Sequence, residues 1–134
     1  MTQHIIQRIS ILGTGLIGGS FALALRKYAT DLHITGWDRA DIAKVALTTK
    51  AFDETLTGDL TPVLRDADLI YIALPIGVTL DLLPDLARFA ARKALITDAY
   101  CGSGKHNTAY VPTIDVPFAK KHNCRRVIGL HIHR

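Results

Sequence analysis

A glycine-rich turn between a predicted strand and a predicted helix constrains this chain more than any other feature. The segment RISIL, Arg8 to Leu12, is short and β-branched, which is typical of a strand. Leu16 to Tyr28 carries apolar residues at helical spacing and follows at once. The connection, Gly13-Thr14-Gly15-Leu16-Ile17-Gly18, has the pattern G-x-G-x-x-G. A plain strand–turn–helix unit does not require glycine at all three positions, whereas a dinucleotide-binding turn does.

Each glycine has its own role in such a turn. We expect Gly13 to permit the tight exit from the strand and Gly15 to let the backbone approach a pyrophosphate. Gly18 would allow the helix to pack closely against the strand, and the helix start offers N–H groups to phosphates. The predicted cofactor-binding residues of this turn are Gly13, Gly15, Leu16, Ile17 and Gly18.

An acidic residue at the end of the second predicted strand, LHITGWD, indicates which dinucleotide is bound. Asp38 lies 20 residues beyond Gly18, where a carboxylate accepts the ribose 2′-hydroxyl of NAD and repels the 2′-phosphate of NADP. We therefore predict NAD. Asp38 is also a good candidate for a helix N-cap, and both roles remain open. Arg39 is a further cofactor-binding candidate, placed near the adenine or facing solvent, although it is also able to accommodate a 2′-phosphate.

Strand and helix patterns alternate through residue 98, which predicts an α/β fold of the Rossmann type with a doubly wound, mostly parallel sheet. The first helix is apolar over most of its circumference, so we expect it to be well buried. Further helices are predicted over Asp38–Thr48 and Thr79–Ala91. A short third strand is predicted within 51–58, and strands are also predicted in ALITD and RRVIGLHIH. We treat residues 1–134 as one domain, in which 98–134 is a poorly marked tail.

The apolar run DADLIYIALP predicts a strand that is covered on both faces. Ligands of open α/β sheets lie beyond the carboxyl ends of the strands. Ala73, Leu74 and Pro75 would then line the nicotinamide side of the site. Pro75 is equally explained as a residue that stops a strand before a helix.

Composition excludes several classes of function. No apolar run is long enough for a membrane span, and the first residues lack the pattern of a signal peptide. Cys101 and Cys124 follow no zinc or redox spacing, so we expect free thiols, no metal and a cytoplasmic location. Residues 99–134 hold six of the 16 Lys and Arg but one of the 12 Asp and Glu. No aromatic residues interleave with these charges, which argues against nucleic acid as a partner.

Several segments together resemble the prephenate and arogenate dehydrogenases of tyrosine biosynthesis. They are ILGTGLIGGSFALALR, ITGWDR, DADLIYIALPI and LITDAYCGSGK. Members of that family have Asp-x-Gly-Ser-x-Lys after the fifth strand. Here two apparent extra residues stand between Ala99 and Gly102. Members also have Gly-Gly-His-Pro or Gly-Leu-His-Pro, and VIGLHIHR has Ile132 in place of the proline.

The resemblance implies NAD-dependent oxidative decarboxylation of a small anionic substrate, prephenate or arogenate. His131 would accept a hydrogen bond from the ring hydroxyl and help to remove its proton, with support from Ser103. A simple exposed position for His131 remains the alternative.

Members of the family continue into a helical second domain that forms a dimer and supplies arginine to the substrate carboxylates. We therefore expect this chain to be a fragment, a truncated product, or a domain completed by a homodimer partner or by the missing domain. Two further alternatives remain open. One is a non-catalytic NAD-binding module, and the other is a two-domain dehydrogenase of the β-hydroxyacid type.

Overall fold

The computed structural model describes residues 5–92 and 94–99, which form one parallel sheet with helices on both faces. Five strands and four helices alternate along the chain: β1 Arg8–Leu12, α1 Leu16–Tyr28, β2 His33–Trp37, α2 Ala40–Thr48, β3 Glu54–Leu56, α3 Thr61–Arg65, β4 Leu69–Ile72, α4 Ile76–Phe89 and β5 Leu95–Asp98. The strand order is β3-β2-β1-β4-β5, and every pair is parallel. The predicted α/β fold of the Rossmann type is confirmed.

Each face of the sheet has its own hydrophobic core. On one face, Ile9, Ile11 and Ile34 from the strands pack with residues of α1 and α2. On the other face, Leu12, Ile70, Ile72 and Ile96 pack with residues of α3 and α4. The chain therefore changes face after β3, and β1, the middle strand of the sheet, contributes to both cores.

The structure corrects the expected burial of α1. Leu16 is 87% exposed and Leu23 is 53% exposed, and the fully buried residues of the helix are Gly18 and Ala22. The helix lies on one face of the sheet and nothing in the described part of the chain covers its outer side. Apolar residues around most of the circumference of α1 therefore do not mean that the helix is buried.

Helix boundaries and one whole element also differ from expectation. α4 begins at Ile76, directly after Pro75, three residues earlier than predicted, and it ends at Phe89. α2 begins at Ala40 instead of Asp38. The five-residue helix α3 was not predicted. The predicted strand in RRVIGLHIH lies outside the described residues.

None of the helices in the part of the chain described by the structure combines the length and the apolar character that a membrane span needs.

Candidate nucleotide-binding site

The first glycine of the turn occupies a position that other residues rarely tolerate. Gly13 has φ +94°, in the region that favours glycine. A Cβ atom there would lie 2.4 Å from the carbonyl oxygen of Ala73. Its N–H donates to the carbonyl of Trp37 at 2.8 Å, which joins the exit of β1 to the end of β2. Gly13 therefore provides the tight turn that the sequence predicts.

The third glycine brings α1 against the turn. A Cβ atom on Gly18 would lie 1.8 Å from the carbonyl oxygen of Gly13, a distance at which the backbone would have to move. The helix can approach the exit of β1 only because this residue has no side chain. The expected close packing of helix and strand is therefore present.

The second glycine faces open space. Among the residues that the structure describes, a Cβ atom on Gly15 would have no heavy atom within 4 Å apart from its chain neighbours, so their packing does not explain why glycine is present. Gly15 is also the N-cap of α1 and, as glycine, has no side chain that could accept a hydrogen bond from the helix start. The N–H groups of the first helical turn lack acceptors within the helix. The open space at Gly15 thus lies next to the N–H donors of the first turn of α1, and this arrangement fits a phosphate group.

Asp38 lies beside this turn and forms hydrogen bonds with it. Its Oδ2 accepts the N–H of Thr14 at 2.8 Å and the Thr14 hydroxyl at 3.3 Å. Its Oδ1 accepts the N–H of Arg39 at 2.7 Å. The interpretation of Asp38 as a helix N-cap is wrong, since the N-cap of α2 is Arg39 and it has no side-chain cap bond. The carboxylate is instead directed at the glycine turn.

Arg39 extends from the same corner into solvent. Its guanidinium lies 3.5 Å from a carboxylate oxygen of Asp41, and both side chains are exposed. An exposed ion pair of this kind is weak. Arg39 therefore remains available to a ligand that lies along the end of β2.

A pocket of about 310 Å³ lies beyond the carboxyl ends of β4 and β5. Its lining is mainly apolar and includes Ile17, Ile72, Ala73, Leu74, Pro75, Ile76, Thr79, Asp98 and Ala99. The structure thus brings Ile17 of the glycine turn together with Leu74 and Pro75, which the sequence assigned to the nicotinamide side. The Thr79 hydroxyl donates to the carbonyl of Pro75 at 3.2 Å.

The charged group in the described lining of this pocket is the Asp98 carboxylate. Burial, and then the negative charge of Asp98, raise the pKa of the neighbouring Tyr71 above its ordinary value of 10.0. Tyr71 therefore stays protonated at neutral pH, and its ring stacks on Phe21 of α1 with ring centroids 4.0 Å apart.

Three residues differ from the others in how the sequence prediction relates to the structure. Ser103 and His131, predicted as catalytic, lie outside the described residues. Thr14 was not predicted, because it fills a variable position of the glycine pattern. Its contact with Asp38 across 24 residues depends on how β1 and β2 pair. Within residues 5–92 and 94–99, no group of three or more His, Cys, Asp and Glu is placed to hold a metal ion.

Comparison with known proteins places this chain in a family. The family described as the nucleotide-binding domain of prephenate dehydrogenase matches residues 21–117. Prephenate dehydrogenase of Lactococcus lactis is 38% identical over 95 residues, which are 70% of this chain and 26% of that protein. The enzyme of Bacillus subtilis is 34% identical over 91 residues, or 67% of this chain and 24% of that one. The chain therefore spans about a quarter of the length of these curated relatives.

Solved structures agree in fold. Prephenate dehydrogenase of A. aeolicus, in complex with hydroxyphenyl propionate and NAD+, gives a TM-score of 0.74 at 22% identity. That match covers 97% of this chain and 43% of the other. Arogenate dehydrogenase of Synechocystis gives a TM-score of 0.66 at 28% identity, covering 85% of this chain and 37% of the other.

Proposed function

Because this chain belongs to the prephenate dehydrogenase family, as its nucleotide-binding domain, we propose that it binds NAD at the glycine turn and the end of β2. The observation that carries the proposal is the open space at Gly15 next to an Asp38 carboxylate that is already fixed in position. The first provides room for a pyrophosphate, and the second provides an acceptor for the ribose 2′-hydroxyl.

Each predicted residue then has a place along the dinucleotide. Gly13 and Gly18 shape the turn, and Gly15, Leu16 and Ile17 present the first N–H groups of α1 to the phosphates. The Asp38 carboxylate accepts a hydrogen bond from the 2′-hydroxyl of the adenosine ribose, and Arg39 lies near the adenine. Leu74 and Pro75 line the apolar pocket where the nicotinamide ring fits. The solved relative from A. aeolicus, which holds NAD+, supports this assignment through its common fold.

We propose that the whole protein catalyses NAD-dependent oxidative decarboxylation of prephenate or arogenate. NAD supplies the hydride acceptor, while carbon dioxide leaves and the substrate ring becomes aromatic. His131 would accept the hydrogen bond of the ring hydroxyl and Ser103 would support it. The names of relatives that act on prephenate and arogenate support an anionic substrate. We also propose a cytoplasmic location, a single domain over 1–134, and assembly as a homodimer or with a helical second domain.

Calorimetric titration of the 134-residue chain with NAD tests the binding proposal. Gly15→Val should abolish NAD binding, because a side chain there fills the space of the pyrophosphate. The fold should survive, since a Cβ atom there meets open space and the Gly15 backbone is extended, with φ −71° and ψ −153°. Equal thermal midpoints of the variant and the native chain would verify this.

Gly77→Val is the matched control. A Cβ on Gly77, in the first turn of α4, also meets open space, but Gly77 is not part of the glycine turn. This variant should bind NAD as the native chain does. Normal NAD binding by Gly15→Val would show that the turn is not the phosphate site.

A further inference from the structure

We propose that Thr14 is a positioning residue that fixes the orientation of Asp38 and thereby strengthens the preference for NAD over NADP. This inference rests on the proposed NAD binding at the same turn. Thr14 stands between the first two glycines and is 6% exposed. The protein around Thr14 therefore determines the orientation of its hydroxyl group, which has little contact with solvent.

Two donors of Thr14 converge on one oxygen of Asp38. The backbone N–H lies 2.8 Å from Oδ2, and the hydroxyl lies 3.3 Å from the same atom. The N–H of Arg39 holds the other oxygen, Oδ1, at 2.7 Å. Three bonds from two sides fix the rotation of the carboxylate group.

Packing on β2 holds the Thr14 side chain in this orientation. A Cβ atom on Gly36, two residues before Asp38, would lie 2.6 Å from Cγ2 of Thr14 and 2.9 Å from the ring of Phe52. Glycine at 36 therefore leaves the slot in which the Thr14 methyl group sits. With the methyl group in that slot, the hydroxyl is turned toward Asp38.

This arrangement determines which acceptor sites remain for a ligand. A carboxylate oxygen offers about two lone pairs. Thr14 uses both sites on Oδ2, and Arg39 uses one on Oδ1, which leaves a site on Oδ1 for the ribose 2′-hydroxyl. An acceptor that is already oriented binds its donor at a lower entropic cost. Repulsion of the NADP 2′-phosphate depends mainly on the charge of Asp38 and much less on its rotation.

The test is a pair of titrations, with NAD and with NADP, on Thr14→Val in the 134-residue chain. Valine keeps the shape of threonine and removes the hydroxyl. The Kd for NAD should rise about threefold to tenfold, the range expected when one side chain has to be ordered on binding. The Kd for NADP should change much less, so the preference for NAD falls. Thr14→Ser keeps the hydroxyl but lacks the methyl group that orients it, so it should retain a preference between those of Thr14→Val and the native chain.

Thr35→Val is the matched control. Thr35 is 8% exposed, and its hydroxyl donates to a carboxylate oxygen of Glu54 at 3.2 Å, so the same change removes a similar bond away from Asp38. This variant should retain the native preference for NAD. Thermal midpoints of all variants identify any loss of folding, and Thr14→Ala offers a second variant without the hydroxyl.

A double-mutant cycle separates positioning from direct contact. If Thr14 acts through Asp38, then Thr14→Val should cause no further loss of NAD affinity in the Asp38→Ala chain. Equal weakening of NAD and NADP would instead indicate that Thr14 contacts the pyrophosphate, and would overturn the proposal. An unchanged preference for NAD in Thr14→Val would also overturn the proposal about Thr14. It would not contradict the proposed NAD binding at the turn. Absence of NAD binding by the native chain would refute the proposed function itself.

Discussion

At the scale of single residues, the site depends on three glycines that lack a Cβ atom and on one oriented carboxylate. Gly13 and Gly18 allow backbone contacts that a Cβ atom would prevent, while Gly15 leaves a space that residues 5–92 and 94–99 do not fill. Asp38 adds the one fixed carboxylate of the turn, held by Thr14. The pattern of glycines is readable from the sequence, but the role of Thr14 is not, because it follows from strand pairing.

Asp38→Ala should reduce the preference for NAD over NADP. The substitution removes both the acceptor for the 2′-hydroxyl and the charge that repels a 2′-phosphate. Two charges about 4 Å apart interact by roughly 1 kcal/mol in bulk water and roughly 4 kcal/mol near a protein surface, so NADP affinity should rise by at least about fivefold. Titration of both cofactors measures the change. A preference equal to that of the native chain would mean that Asp38 does not contact the ribose.

At the scale of secondary-structure elements, the period of the apolar residues predicts most of what is observed. All five strands of the described part correspond to predicted ones, since β-branched and apolar runs suit a sheet that is covered on both faces. The helix α3 was missed because five residues are too few to show a helical period. The burial of α1 was overestimated because apolar content does not reveal whether a second layer covers a helix.

A pair of glycine substitutions in α1 tests the packing of this helix. Gly18→Ala should lower the free energy of unfolding by at least about 2 kcal/mol, because its methyl group would overlap the Gly13 carbonyl. Gly19→Ala is the control, since its Cβ would meet its nearest neighbour, the Thr14 carbonyl oxygen, at an ordinary 3.6 Å. It should be neutral or slightly stabilising. Urea unfolding measures both, and similar losses for the two variants would contradict the packing described.

Asp53 connects three elements and gives stability a defined dependence on pH. Its carboxylate accepts the N–H of Ile34 at 2.6 Å and pairs with the guanidinium of Arg26. Burial raises the pKa of Asp53, but these bonds outweigh it, and the pKa lies below its ordinary value of 3.8. The folded state therefore favours the charged form. The resulting stabilisation is present above the unfolded pKa and is lost as pH falls through the folded value.

Asp53→Asn should accordingly destabilise the chain at neutral pH and much less in acid. The side chain is 39% exposed, so solvent screening limits the loss to about 1 kcal/mol or less. Urea unfolding of native and variant chains at neutral pH and well below pH 3.8 measures the difference. A difference that stays constant between the two conditions would show that ionisation of Asp53 makes no contribution.

At the scale of the whole molecule, the family resemblance predicted from the sequence is confirmed, and so is the fold. The two predicted catalytic residues, Ser103 and His131, remain predictions, since they lie outside the described residues. The described lining of the pocket suits the nicotinamide ring and includes no cation that would bind a substrate carboxylate. Its lining within residues 5–92 and 94–99 contains no Lys or Arg, although prephenate carries two carboxylates.

Because this chain spans about a quarter of the length of its curated prephenate dehydrogenase relatives, the 134-residue chain with NAD should produce no appreciable NADH from prephenate or arogenate. Positioning of the substrate is worth about 7–11 kcal/mol of the barrier. A single positioned base such as His131 contributes about 10²–10⁴-fold, which does not replace it. Absorbance of NADH measures the rate, with a full-length prephenate dehydrogenase as the positive control. Robust turnover would mean that cations of the tail, such as Lys105 and Arg125, build a substrate site.

The most direct test of the central claim is the affinity of the native chain for the two cofactors. Calorimetric titration with NAD and with NADP under the same conditions measures it. If the pyrophosphate lies at Gly15 and the ribose lies at Asp38, NAD should bind at least about tenfold more tightly, because the 2′-phosphate of NADP meets the carboxylate. Equal affinities, or tighter binding of NADP, would contradict the account.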